Sequence, residues 1–373
     1  MSKKILITST NKHWGGSEHL WFETLKQLLT LDYHVTLILH KSILSEIFID
    51  LENQPNLEII TLKNRRGSMF FKLYYRLSSV SFSISKLVDL KSFDLILISQ
   101  GGSYEIVNDV DFCKSLQLNN LSYHVISQFH EDFGFLPDMF RKRVCAFFDE
   151  AQNVYYTSRR NMITSQSMLA SSNHKNAVVG NPVRFEIKDD IKYFSLNTVK
   201  IITVGRLDVD LKGQNLLISA LGKVNDTFSD WELVIWGEGK HSLYLNDLIS
   251  SLGLDSKIKL EGFTESIKLE LDKSDLFVLP SVAEGQSLAL LEALSRGLIV
   301  AATDVGGASE IINHDINGFL IPGVNIDSIA DSLIHVMNNR QNWGNVSQNA
   351  ITAIKDYNLN NNAVNLLISN LIK

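Results

Sequence analysis

The sequence has few cysteines, no excess of basic residues and no long hydrophobic run. Its two cysteines, Cys113 and Cys145, cannot build a disulfide framework or a multi-cysteine zinc site, and they fit a reducing compartment. The 35 Lys and Arg against 41 Asp and Glu give a net charge of −6, the wrong sign for a protein that wraps nucleic acid. No apolar stretch reaches the roughly 18–20 residues that cross a bilayer.

The N-terminus also lacks the pattern of a signal peptide. Only Ile5, Leu6 and Ile7 precede the polar residues that begin at Thr8, and this apolar core is too short for secretion. We therefore expect a soluble or peripheral protein in the cytoplasm.

Length and composition predict two globular domains. The 373 residues exceed the usual domain size of about 100–200 residues, and the 45% hydrophobic content excludes a disordered scaffold. Short β-branched runs alternate with amphipathic stretches, which favours βα units around parallel sheets, and an Asn-Pro turn in residues 180–184 indicates a hinge. We predict strands at residues 4–8, 34–39, 94–99, 123–127, 153–157, 200–204, 231–236, 257–260, 276–279 and 298–302, with helices at 17–31, 137–149, 214–225, 243–252, 288–296 and 358–373.

Residues 203–214 are the strongest candidate for an anion site. A predicted strand ends in Gly205, and the following loop delivers Arg206 and Lys212 just before a helix begins. Two cations beside a helix N-terminus can bind a diphosphate, and Gly205 and Gly213 permit close backbone approach. A solvated loop with two surface cations explains the same residues, and this alternative stays open.

Residues 279–294 repeat the arrangement of strand, glycine-containing loop and helix. Glu284 lies in the loop, and Glu292 follows eight residues later. At about 100° per residue, eight helical steps bring the direction of the Glu292 side chain to within about 80° of that of Glu284, so both can point toward the same end of the sheet. A carboxylate that accepts from two vicinal hydroxyls is a receptor for a sugar or ribose, and the loop amides of Gln286, Ser287 and Leu288 can face a phosphate. The alternative for Glu292 is a helix-surface glutamate.

Two further segments follow predicted strands in the first half. Gly15 and Gly16 let the backbone approach a ligand, although Ser17 as an N-cap explains the segment without one. His130 follows the strand at 123–127, at the sheet edge where open α/β folds bind ligands.

The Gly-Glu-Gly sequence at 237–239 has no third glycine in the Rossmann position, so it is weak as a dinucleotide fingerprint. The glycines in 302–312 and 317–322 are explained equally by simple turns.

Two segments combine basic and aromatic residues. Residues 63–76 hold five cations and no acid among aromatic and aliphatic side chains, and residues 141–143 repeat this pattern. Such a composition suits an anionic membrane surface, and a core-packing helix with a basic outer face is the alternative.

Taken together, these motifs resemble glycosyltransferase family 4. The resemblance rests on Gly15-Gly16, Asn181-Pro182, residues 205–213, Gly237-Glu-Gly239, the Glu284 and Glu292 pair, residues 302–307 and Asn317-Gly318. It implies an α/β protein of GT-B architecture, with two Rossmann-like domains whose parallel sheets face a central cleft. Because the last helix would return to the first domain, we expect domains of 1–183 with 357–373 for the acceptor, and 184–356 for the donor.

The resemblance implies a retaining transfer from a UDP- or GDP-sugar to an acceptor hydroxyl, with no metal and no other cofactor. Arg206 and Lys212 would neutralise the donor phosphates, Glu284 would bind the transferred sugar, and Glu292 would bind the ribose. His130 would lie near the reacting sugar and completes the expected catalytic set of His130, Arg206, Lys212 and Glu284. The expected donor site comprises Gly15, Gly16, Gly205, Arg206, Lys212, Gly237, Phe263, Glu284, Gly285, Gln286, Ser287, Leu288 and Glu292.

The sequence departs from the family at Gln286 and Ser287, which replace the usual Phe-Gly, so the sugar is not specified. The implied acceptor is a glycan or lipid-linked glycan of a bacterial surface polysaccharide, reached at the inner face of the membrane, with contact through residues 63–76. The alternatives are a catalytically silent GT-B protein that binds a sugar nucleotide or a partner, a sugar-nucleotide epimerase, an inverting transferase and a nicotinamide-dependent oxidoreductase.

Overall fold

A computed structural model describes residues 3–51, 54–62, 83–128, 135–172, 175–190, 192–194 and 197–372, without the side chains of 45, 46 and 48–50. The predictions for residues 63–76 and for His130 lie outside these residues. Within the described ranges, each helix is too short or too polar to cross a bilayer.

The chain divides into two compact units. One comprises residues 1–181 and 362–373, and the other comprises residues 182–361. The boundary after residue 181 lies two residues from the expected one, and the boundary before residue 362 lies five residues from the expected one.

The expected single helix over 358–373 is wrong, because two asparagines divide it. One helix continues to Asn360, and the Asn362 side chain then accepts from the Asn365 backbone N–H to start another. The second helix packs against the first unit.

The first unit contains a parallel sheet of seven strands in the order β3-β2-β1-β4-β5-β6-β7. The strands are β1 (Lys4–Ser9), β2 (His34–His40), β3 (Leu57–Leu62), β4 (Leu95–Gln100), β5 (Tyr123–Ser127), β6 (Asn153–Tyr156) and β7 (Asn176–Val178). The helices are α1 (His19–Thr30), α2 (Lys41–Leu51), α3 (Val110–Leu118), α4 (Asp138–Glu150), α5 (Arg159–Leu169) and the C-terminal helix, numbered α13 (Ala363–Leu371).

The second unit contains a parallel sheet of six strands in the order β10-β9-β8-β11-β12-β13. The strands are β8 (Val199–Val204), β9 (Trp231–Trp236), β10 (Ile258–Gly262), β11 (Leu276–Leu279), β12 (Ile299–Thr303) and β13 (Phe319–Ile321). The helices are α6 (Val209–Lys212), α7 (Gln214–Val224), α8 (Ser242–Ser251), α9 (Ile267–Lys273), α10 (Leu288–Ser295), α11 (Ile326–Asn338) and α12 (Trp343–Asn360).

Each sheet is buried on both faces, which explains the continuous apolar runs of its central strands. Alternate residues of β1 enter different cores, with Ile5 and Ile7 in one and Leu6 in the other. In the second unit, Ile201 of β8 packs in one core and its neighbour Ile202 packs in the other. The side-chain period of two along a strand therefore builds two cores per unit.

The strands predicted from the sequence are all present within two residues of their expected bounds. The strands that were not predicted, β3, β7 and β13, all lie at sheet edges. Two of them have three residues each, and β3 is only partly buried. Edge strands need less apolar sequence, so their pattern is weaker.

The strand order reverses direction between β1 and β4 in one sheet and between β8 and β11 in the other. In open parallel sheets, ligands bind beyond the carboxyl ends of the strands at such points. The two motifs with the strongest predicted chemistry directly follow β8 and β11.

Candidate functional site

Lys212 and Glu284 meet beyond the carboxyl ends of β8 and β11. The Lys212 Nζ atom lies 2.6 Å from Glu284 Oε1, and the Ser281 hydroxyl donates to the same oxygen at 2.7 Å. Glu284 is 6% exposed. The structure thus joins two predicted site residues that are 72 positions apart in the sequence.

Backbone contacts hold together the two loops that carry this pair. Gly213 has a φ of +61°, and a Cβ there would lie 2.1 Å from the Pro280 carbonyl oxygen. The Val282 N–H donates to the Leu211 carbonyl at 2.9 Å. Gly213 is therefore required for both its left-handed conformation and its close approach to the loop after β11.

The segment after β12 supports the Glu284 loop from another side. Gly306 has a φ of +54°, and a Cβ there would lie 2.3 Å from the Glu284 carbonyl oxygen. The neighbouring Gly307 N–H donates to the Gly285 carbonyl at 2.8 Å. These glycines therefore do more than form a turn, because they set the backbone position of the Glu284 loop.

Glu292 lies in α10 and is 4% exposed. It is therefore a buried residue and not the exposed helix-surface glutamate that was the alternative. Its Oε1 atom accepts from the Arg184 guanidinium Nη1 at 2.7 Å. Burial raises the pKa of the Glu292 carboxyl, and the charge and hydrogen bond of Arg184 oppose that rise. Sequence reasoning missed Arg184, whose only signal was its place in the predicted hinge segment.

Gln286 is buried beside α12. The Tyr357 hydroxyl donates to Gln286 Oε1 at 2.8 Å, and burial raises the pKa of Tyr357. Sequence reasoning did not find Tyr357, which lies 71 residues further along the chain.

Ser287 caps the start of α10. The Ser287 hydroxyl accepts from the Leu290 backbone N–H at 3.3 Å, so the helix begins at Leu288. The predicted anion-binding amides of Gln286, Ser287 and Leu288 therefore lie at a real helix N-terminus beside Glu284.

Arg206, Gly237 and Phe263 occupy the ends of three adjacent strands. Gly237 has a φ of +140°, and a Cβ there would lie 2.0 Å from the Gly205 carbonyl oxygen. Arg206 is exposed and makes no ion pair with any described residue, whereas Lys212 does. Phe263 is 68% exposed. Arg206 and Phe263 thus remain accessible to a ligand.

Asp208, Asp210 and His241 are close enough together to be considered as a metal centre. The Lys240 ammonium, however, lies 3.2 Å from Asp208 and 3.1 Å from Asp210. The His241 Nδ1 atom accepts from the Val209 N–H at 3.0 Å. The single Lys240 ammonium therefore forms ion pairs with both carboxylates of this cluster.

In the first unit, Glu18 organises the loop that contains Gly15 and Gly16. Its fully buried carboxylate accepts from the Ser9 hydroxyl at 2.7 Å, from the Asn11 amide at 2.5 Å and from the Trp21 indole N–H at 2.9 Å. Burial raises the pKa of Glu18, and these hydrogen bonds oppose that rise.

The interpretation of Ser17 as an N-cap is wrong. A 3-10 turn over Gly16–Glu18 precedes α1, and Glu18 occupies the cap position without a side-chain cap bond. The Ser17 hydroxyl accepts from the Asn11 amide at 2.7 Å instead. Gly15 is extended, with a φ of −173° and open space around its Cβ position, so its backbone conformation does not require glycine.

Residues 185–353 match the family described as Glycosyl transferases group 1. This range contains Arg206, Lys212, Glu284 and Glu292, whereas Gly15, Gly16, Arg184 and Tyr357 lie outside it.

Two curated relatives illustrate what this chain is similar to. An uncharacterized glycosyltransferase of Methanocaldococcus jannaschii is 37% identical over 146 residues, which cover 39% of this chain and 36% of the relative. An Escherichia coli UDP-Gal:alpha-D-GlcNAc-diphosphoundecaprenol alpha-1,3-galactosyltransferase is 34% identical over 120 residues, 31% of this chain and 30% of the relative. The chain spans less than half of the length of the curated relatives it matches.

Solved structures resemble almost the whole chain. Anabaena HepE in complex with UDP has a TM-score of 0.77 at 18% identity, with coverage of 99% of this chain and 100% of that one. Staphylococcus aureus TarM, in a complex that includes UDP, has a TM-score of 0.75 at 15% identity and covers 100% of both chains. The expected GT-B fold class, with two α/β units that each contain a parallel sheet, is confirmed. Residues 185–353 of the second unit match the family Glycosyl transferases group 1.

Proposed function

We propose that the protein is a glycosyltransferase that moves a sugar from a UDP- or GDP-sugar to an acceptor hydroxyl. The observation that carries this proposal is the contact of Lys212 with Glu284 at the switch point of the second sheet. A cation of the kind that binds phosphate thus lies beside a carboxylate that can accept from hydroxyls, at the edge where open α/β sheets bind ligands, and this supports the proposal. The group 1 domain and the names of the relatives support the same reaction class.

Lys212 and Arg206 would bind the diphosphate of the donor. An ammonium has three N–H donors, so Lys212 can keep its contact with Glu284 while it donates to phosphate oxygens. Breaking the glycosidic bond develops negative charge on the leaving diphosphate. Fixed cations stabilise that charge, and removal of one such contact typically costs about 3–4 kcal/mol of barrier.

Glu284 would accept hydrogen bonds from the transferred sugar, and Glu292 from the ribose. We propose that the reaction retains the anomeric configuration, with the acceptor attacking on the face that the diphosphate leaves and the phosphate taking the proton. No carboxylate then acts as a nucleophile, and no metal is needed at the diphosphate. His130 would stabilise the reacting sugar.

The acceptor is proposed to be a lipid-linked glycan of a bacterial surface polysaccharide. Relatives named for diphosphoundecaprenol substrates support this class. The protein would work at the inner face of the membrane through residues 63–76. The exposed Met139, Lys142 and Arg143 on α4 support an anionic membrane contact in the same unit. Equal partitioning onto neutral and anionic vesicles would contradict it.

Thermal denaturation with UDP, GDP, ADP and CMP tests the donor site. A nucleotide at 100 times its Kd adds about 2.7 kcal/mol of stability, which raises Tm by roughly 5–10 °C in a unit of this size. We expect UDP or GDP to do so, Glu292→Ala to lose most of the shift, and Lys212→Ala much of it. Lys223→Ala, which removes a surface ion pair with Asp327, should keep the shift.

If no nucleotide at millimolar concentration changes Tm, the donor-site assignment is wrong. Sugar transfer is tested separately with a lipid-linked acceptor, by following release of the nucleoside diphosphate and the anomer of the product. A product of inverted configuration would contradict the retaining mechanism. Tight nucleotide binding without transfer to any acceptor would favour the catalytically silent alternative.

A further inference from the structure

Arg184 forms an ion pair with the buried carboxylate that we assign to the ribose. The guanidinium Nη1 lies 2.7 Å from Glu292 Oε1, and the two residues are 108 positions apart in the chain. The Arg184 side chain is 35% exposed and that of Glu292 is 5% exposed. The arginine thus approaches Glu292 from the solvent side, two residues after the start of the second unit.

The contact uses only one of the two carboxylate oxygens. Among the residues that the structure describes, Arg184 alone hydrogen-bonds to the Glu292 carboxylate, and the bond goes to Oε1. Glu292 Oε2 therefore keeps its acceptor capacity for a ligand.

The charge of Arg184 favours the ionised form of Glu292 and so opposes the effect of burial on its pKa. Burial favours the protonated carboxyl, which carries its own O–H and accepts less well. A neighbouring guanidinium favours the ionised form, which only accepts. Since ribose hydroxyls must donate to Glu292, the ionised form is the one suited to bind them.

We propose that Arg184 is a positioning residue for the ribose of the donor nucleotide. It holds the Glu292 carboxylate ionised and turned so that Oε2 accepts from the ribose hydroxyls, without itself contacting the nucleotide. This inference rests on the proposed function. Arg184 lies just outside residues 185–353, which match the group 1 family.

The test is isothermal titration of UDP, GDP and the 2′,3′-dideoxy form of each. The proteins are the wild type, Arg184→Ala, Arg184→Lys, Glu292→Gln and the double variant Arg184→Ala/Glu292→Gln. We expect Arg184→Ala to weaken the ribonucleotide about tenfold, the effect of one charge-assisted contact, and to change dideoxynucleotide affinity less than about twofold. Arg184→Lys should restore most of the lost affinity, because it restores the charge.

The double variant should bind the ribonucleotide no more weakly than Glu292→Gln alone, because Arg184 acts through Glu292. Arg340→Ala is the matched control, since it breaks another arginine pair of the second unit, with Asp230 at 2.6 Å. It should leave all four affinities unchanged.

Equal weakening of ribo- and dideoxynucleotides by Arg184→Ala would overturn the proposal, because Arg184 would then contact phosphate or base directly. Unchanged affinity for both would overturn it as well. If Arg184→Ala does not fold, Arg184→Gln decides by the same comparison. Failure of the wild type to bind any nucleotide would overturn the proposed function itself, whereas normal binding with unaltered ribose discrimination would overturn only the role of Arg184.

Discussion

Breaking the Lys212–Glu284 pair should destabilise the free protein as well as weaken nucleotide binding. Lys212→Met keeps most of the aliphatic side chain and removes the ammonium that lies 2.6 Å from Glu284. Glu284 is 6% exposed, so in Lys212→Met its negative charge would stay buried without the lysine, and the Ser281 hydroxyl would still donate to it. Breaking a fully buried pair costs about 3–5 kcal/mol, and the 24% exposure of the lysine side chain reduces this to about 2 kcal/mol.

A cost of about 2 kcal/mol should lower Tm by roughly 4–8 °C for a unit of this size. Thermal and urea unfolding of the wild type, Lys212→Met, Glu284→Gln and the double variant, all without nucleotide, measure the coupling. We expect the double variant to be about 1–2 kcal/mol more stable than the sum of the single changes predicts. Lys223→Met, at a lysine whose side chain is 56% exposed, should change stability by less than about 0.5 kcal/mol.

Two results would refute this reasoning. Additive single changes would mean that the pair is not formed in solution. A stable Lys212→Met protein with an unchanged UDP or GDP shift would mean that Lys212 neither balances Glu284 nor binds phosphate.

Three further predictions concern buried groups and one glycine. Burial lowers the pKa of His124 from 6.5 to about 4, so the unfolded chain takes up the proton first as pH falls. Stability should therefore drop by up to about 3 kcal/mol between pH 6.5 and 4, and His124→Phe should flatten that slope in urea unfolding across this range. Glu18→Gln should cost about 2 kcal/mol in the same assay at pH 7, because its amide N–H₂ would face either the Trp21 indole N–H or the Asn11 amide N–H₂; an unchanged midpoint would contradict this. Gly306→Ala should lower Tm by several degrees and reduce the nucleotide shift, because the new Cβ would displace the Glu284 backbone; a wild-type shift would show that the loop adapts.

Much of the architecture was predictable because it depends on local pattern. A central strand such as Leu276–Leu279 has the predicted bounds, since burial on both faces requires a continuous apolar run. The edge strand Asn176–Val178 was missed because it is short and only partly buried.

The sequence by itself determined the two parallel α/β units and the residue types that follow β8 and β11, because side-chain period and loop chemistry are properties of neighbouring positions. Only the tertiary structure decided which charges meet. The partners of Glu292 and Gln286 lie 108 and 71 residues away, at Arg184 and Tyr357, and no local pattern encodes such a pairing. Chain folding brings these groups together at the end of a sheet, where burial makes each partner necessary.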